Sequence, residues 1–115
     1  MMRVAIVTHD GFVYPHELCA LCAFTIITYC RDDDSLEKKI VLQKEAFQDD
    51  MLAFLVNSEV DIVVAGFLTK HQKLFFHDNG IRVITGITGT IEDVIQWIIQ
   101  ENIESSQEIL LTQQV

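Results

Sequence analysis

The sequence predicts an α/β domain in which a mixed sheet carries helices on its faces. Three observations support this. Short runs rich in Val and Ile recur along the chain, the later ones are separated by segments of helical periodicity, and the stretch from Arg31 to Glu37 is too short for a crossover helix. A chain of 115 residues, 50% of them hydrophobic, is one domain by length and can bury a sizeable core.

Met2 to Thr8 (MRVAIVT) is a buried first strand that runs into a polar loop beginning His9-Asp10-Gly11, and Pro15 keeps that loop irregular. Ala23 to Cys30 (AFTIITYC) is β-branched and aromatic, a second strand, and Asp32-Asp33-Asp34-Ser35 then turns the chain. Lys38 to Lys44 (KKIVLQK) is a third strand whose charged ends suit a sheet edge. Phe47, Met51, Phe54 and Leu55 fall at helical spacing, with Asp49 and Asp50 in the first turn, where a helix is electropositive. Val60 to Ala65 (VDIVVA) is a fourth strand. Gly66 to Thr69 leads into a helix bearing Leu74 and Phe75, closed by Gly80 at the position of a C-terminal cap. Ile81 to Thr85 is the fifth strand. Thr90 opens a last helix with one apolar stripe, Ile91, Val94, Ile95, Ile98 and Ile99, and Thr90 with Asp93 resembles a capping box. The order is βββαβαβα, a single domain over residues 1–103, and the polar tail 104–115 is expected to be partly mobile. The helices between later strands imply right-handed parallel crossovers, and strands two and three can pair as a hairpin.

Eight Lys and Arg against 17 Asp and Glu give a formal charge of −9, a field that disfavours nucleic acid and anionic membranes. The longest uncharged stretch after Glu17, Leu18 to Cys30, is 13 residues, short of the ~20 that span a bilayer. Three cysteines without a secretory leader predict reduced thiols and a cytoplasmic protein.

The segment HELCALC, residues 16–22, reads His-x2-Cys-x2-Cys, three borderline or soft ligands suited to zinc or an iron-sulfur cluster. On a helix, side chains at that spacing fan over about 120°, and on a strand Cys19 faces away from His16 and Cys22. Only a turn brings all three together. The other reading makes Cys19 and Cys22 small hydrophobes beside the core. His9 and Asp10 stand at the end of the first strand, an edge where open α/β sheets bind ligands, yet neighbours in sequence point their side chains apart. ITGITGT, residues 84–90, places glycines before a helix N-terminus and is explained by a tight strand-to-helix turn. His71 and His77, with Lys70 and Lys73, make a solvated helix face. Trp97 lies off the isoleucine stripe, on a surface through which the chain can self-associate as a homodimer.

In order and spacing, MRVAIVT at the start, Val13 followed by His16 and then Phe24, VDIVVAG at 60–66, NGIRVITG at 79–86 and GTIEDVIQWI at 89–98 resemble the dinitrogenase iron-molybdenum cofactor biosynthesis family. The resemblance covers roughly residues 2 to 103. It implies a ribonuclease H-like fold: a three-layer domain with a five-stranded sheet in the order 3-2-1-4-5, strand two antiparallel, and binding loops at one end. Members are thought to bind or carry iron-molybdenum cofactors or their precursors and are not known as catalysts. His16 falls on the histidine of the family's His-Phe-Gly loop, whose next two positions are Glu17 and Leu18 here. The family's glycine-rich turn is Gly66-Phe67-Leu68-Thr69, with only its first glycine kept. A nuclease, which this fold also supports, needs several carboxylates converging on divalent ions, and the interior of the first strand, Arg3 to Val7, has none.

The expected function is a non-enzymatic binding or carrier protein for an iron-molybdenum or iron-sulfur type cofactor. His16 is its leading ligand, Cys19 and Cys22 are candidate thiolates, and Gly66, Thr69 and His9 complete the wall. The alternative is a divergent member that has lost the cofactor and acts as a protein-interaction module through its apolar surface and Trp97. Loss of glycine at two loops favours the second, and the paired cysteines favour the first.

Overall fold

A computed structural model describes residues 2–16, 22–30, 32, 35–42 and 48–101. Its elements run β1 (Met2–His9), β2 (Phe12–Val13), β3 (Ala23–Cys30), β4 (Ser35–Leu42), α1 (Gln48–Asn57), β5 (Ile62–Val64), α2 (Lys70–Asp78), β6 (Arg82–Ile84) and α3 (Ile91–Glu101). The sheet order is β4-β3-β1-β5-β6, with β2 paired to β1 alone. The five expected strands therefore lie in the expected order, with β3 antiparallel to β1 and β4, and β5 and β6 parallel to β1. The sheet has six strands rather than five, because a two-residue strand follows the first turn.

Strand alternation divides the interior into two cores. Ala5 and Val7 of β1, Phe24 and Ile26 of β3, and Val63 and Ala65 pack with Leu52 and Leu55 of α1 and Phe76 of α2. Val4, Ile6, Ile27, Ile62, Val64 and Ile84 face the other way, against Ile91, Val94, Ile95 and Ile98 of α3. Successive residues point to opposite faces of a strand, so central strands that are apolar at every position require helices on both sides. This is the three-layer arrangement. The α3 stripe is the one the sequence predicts, except that Ile99 is half-buried, as is Trp97 beside it.

Strand β4 begins at Ser35, three residues before the expected start, because its hairpin with β3 pairs Cys30 with Ser35 directly. Glu37, Lys38 and Lys39 are tolerated within it because β4 is the sheet's edge and these side chains are exposed. Helix α2 ends in a Schellman motif at the expected glycine. Gly80 has φ +76 and its N–H donates to the carbonyl of His77, while that of Ile81 reaches Phe76. Thr90 Oγ1 accepts from the N–H of Asp93, the first half of the capping box. Phe47 and the tail 104–115 lie outside the described residues.

No helix among the described residues is long and apolar enough to cross a membrane.

Candidate functional site

The site is built on the hairpin that follows β1. Asp10 and Gly11, at φ +52 and +83, form a two-residue turn between the paired residues His9 and Phe12. Positive φ at both central positions is the type I′ geometry that Asp-Gly favours. The turn sends the chain back along β1, where the Tyr14 N–H donates to the carbonyl of Val7. It also brings His9 Nε2 to 3.3 Å from Asp10 Oδ2. The expectation that these neighbours point apart is corrected here: it assumed extended backbone, and the left-handed conformation of Asp10 rotates its carboxylate back toward the ring.

Three rings then line up. His9 and Tyr14 meet edge to face with centroids 5.9 Å apart, and Tyr14 and His16 do the same at 5.6 Å. Tyr14 is half-buried and packs against the α1–α2 core, whereas both imidazoles are exposed. Such pairs contribute roughly 0.5–1.5 kcal/mol each beyond the area they bury. Tyr14 thus links the two histidines, and sequence reasoning passed over it. The signal was present in the Asp-Gly dipeptide, which read as a hairpin places Tyr14 beside the end of β1.

Gly66, at the carboxyl end of β5, holds this loop from the other side. A Cβ there would lie 2.6 Å from the Tyr14 carbonyl oxygen and 2.8 Å from Pro15 Cα. Its missing side chain is therefore taken up by the chain's own backbone and does not leave a hollow for a ligand. Thr69 is the N-cap of α2: its Oγ1 accepts from the N–H of Gln72, and the Gln72 side chain accepts from the N–H of Thr69 in return. Thr69 is half-buried, and its hydroxyl, which accepts in the cap, keeps a hydrogen to donate. The start of α3 is occupied from within, since the Ile91 N–H donates to the carbonyl of Gly11 and the Val13 N–H to that of Gly89. The second glycine turn is thereby a structural junction, as the tight-turn reading expected.

Cys22 parts company with the histidine. Cys22 is 2% exposed and belongs to the core with Phe24 and Leu68, on the apolar side of the question its spacing raised. Cys19 lies outside the described residues. Neither Cys22 nor Cys30 is disulfide-bonded. Among the described residues no group of three or more His, Cys, Asp or Glu side chains is placed to hold a metal ion. These donors suit a preassembled group that brings most of its own ligands and needs one or two imidazole anchors. They do not suit a cluster ligated by a set of thiolates. His9 has the outline of a supported ligand, with a carboxylate beside one ring nitrogen.

No protein-family model and no curated protein matches the chain. Its fold is found in solved structures. The crystal structure of PH0822 is similar with a TM-score of 0.77 and 25% identity, over 87% of this chain and 90% of that one. The apo form of the orange protein from Desulfovibrio gigas is similar with a TM-score of 0.64 and 18% identity, over 88% and 89%. A putative NifB protein from Thermotoga, described as belonging to the DUF35 family, has a TM-score of 0.61 and 21% identity, over 88% and 89%. The chain thus shares its architecture with small domains that include an orange protein and a NifB-related protein.

Proposed function

We propose that this protein is a non-enzymatic carrier that binds a preassembled metal cofactor, of iron-molybdenum type or another that brings most of its own ligands, at the carboxyl edge of its sheet. The observation that carries this reading is the array His9–Tyr14–His16, two exposed imidazoles set on either side of one anchored ring. Imidazole is a good ligand for iron and zinc. His16 binds the group, and His9 binds or orients it with Asp10 behind the ring. The Thr69 hydroxyl donates a hydrogen bond to an anionic edge of the ligand, and Gly66 keeps the loop in place. The likeness in fold to a protein described in an apo form and to a NifB-related protein supports a cofactor role at this coarse level. A reducing cytoplasm suits the thiols of Cys22 and Cys30.

A second reading, a protein-interaction module, is favoured by two exposed aromatics at the same edge, Phe12 at 55% and Phe67 at 46%, with Trp97 or a second copy of the chain as part of the contact. One experiment separates the two. The protein is expressed anaerobically with iron, molybdenum and zinc, and bound metal and visible absorption are measured for the wild type, His16→Ala and the double variant Cys19→Ser/Cys22→Ser. The carrier reading expects metal in the wild type, loss in His16→Ala, and retention in the cysteine variant where it folds. Metal-free protein in every sample removes the carrier reading, and an oligomer disrupted by Phe67→Ser then supports the second.

A further inference from the structure

The other end of the sheet carries a cleft of about 420 Å³ that no part of the proposed function uses. It exists because the β3–β4 hairpin is longer than the helix that covers it. The register sets Ala5, Ile26 and Lys39 in one row and Arg3, Thr28 and Glu37 in the next, on the face that α1 packs against. Helix α1 ends at Asn57, and Glu59, at φ +58, turns the chain away toward β5. The outer rows are left as a floor, with Phe54, Asn57 and Ser58 as a wall.

Its charge is unlike the rest of the chain. Arg3 and Lys39 face the cleft with two carboxylates, Glu37 and Glu59, in a protein of net charge −9, while Lys38, which also borders it, has its side chain on the α3 side of β4. Lys38 is paired with Glu92 at 3.4 Å. Arg3 and Lys39 make no ion pair among the described residues. Arg3 is half-buried and held in position by one donor, Nη1 to the Ser58 carbonyl at 2.8 Å, while its backbone N–H donates to Asp61 Oδ2 at 2.9 Å. A guanidinium has five N–H donors in a fixed fork that matches a carboxylate or phosphate, so most of its donors are unspent. Ile26 and Phe54, the latter stacked on Phe24 at 6.1 Å, supply an apolar surface beside these cations. Thr28 and Asn57 add neutral polar groups.

We infer that this cleft is a second ligand site, taking a small organic anion whose carboxylate or phosphate sits between Arg3 and Lys39 and whose flat apolar body lies against Ile26 and Phe54. Its volume is within the range of small-molecule sites. It lies at the opposite end of β1 from His9 and does not depend on the cofactor reading.

The test is a titration of the protein with phenyl phosphate, benzoate and inorganic phosphate, followed by backbone amide NMR. Phenyl phosphate, benzoate or both should produce saturable shifts at Thr28, Lys39, Asn57 and Ser58, and inorganic phosphate should bind more weakly than the better of them. Affinity should fall about ten-fold in Lys39→Glu, which reverses an exposed charge and spares the fold, and should recover in Lys39→Arg. Lys73→Glu on α2, with the same change in net charge, should leave it unaltered. The inference is overturned by absence of saturable shifts at the cleft with both aromatic anions up to about 10 mM, ten times the millimolar affinity a weak fragment reaches. Equal weakening by Lys73→Glu, or inorganic phosphate binding as well as the aromatic anions, overturns it too.

Discussion

The two ends of this sheet are finished differently. At the carboxyl end of β1 and β5 the loops lock into one another: Tyr14 and Pro15 press on Gly66, Gly11 accepts from the first turn of α3, and Val13 bonds to Gly89. At the opposite end the β3–β4 hairpin runs past its covering helix, and charged side chains stand over a cleft. Backbone-to-backbone closure gives side chains a fixed platform, which is what a cofactor anchored by two imidazoles needs. The cleft end is tied as well, by the Asp61 N–H to the Arg3 carbonyl and the Arg3 side chain to the Ser58 carbonyl, but Lys39 on the edge strand stands outside those ties, so it can change without disturbing the fold.

The largest effect is expected at the lock itself. Gly66→Ala puts a methyl group against two backbone atoms that cannot rotate away, so it should cost about 3 kcal/mol in denaturant unfolding and displace the His16 loop. An unchanged midpoint would show that the loop moves freely. Tyr14→Leu keeps bulk against the core but removes both ring contacts. A loss of about 2 kcal/mol is expected, together with altered ring-proton shifts of His9 and His16. Thr69→Ala removes the α2 cap and should cost about 1 kcal/mol, read from the same unfolding curves. At the open end, Lys39→Glu should change stability by less than about 0.5 kcal/mol. If it cost as much as Gly66→Ala, the contrast between the two ends would fail.

Much of the fold was legible because it depends on local periodicity. Ile91, Val94, Ile95 and Ile98 repeat at the helical period and all face one core, and Ala23 to Cys30, largely β-branched and aromatic, forms β3 as expected. The site was legible only in part. His16 and His9 are residues whose chemistry is visible as letters, but Tyr14 acts through position, and only the Asp-Gly turn hinted at it. Gly66 had a local explanation as a binding-loop glycine, whereas its constraint comes from Tyr14, more than fifty residues away in sequence. Spacing suggested a thiolate pair, and burial of Cys22 with Phe24 and Leu68 shows that a ligand motif and a core segment can share the same letters.

The central claim, that the carboxyl edge holds the cofactor through its histidines, is tested most directly by the aromatic ring protons of His9, Tyr14 and His16. Their NMR spectra are compared in protein isolated anaerobically with iron, molybdenum and zinc and in the same protein after chelator stripping. A cofactor held at this edge should shift or broaden the signals of these three rings, reversibly on stripping, and leave Thr28 and Lys39 at the far end unaffected. Bound metal that leaves all three rings unperturbed would contradict the claim.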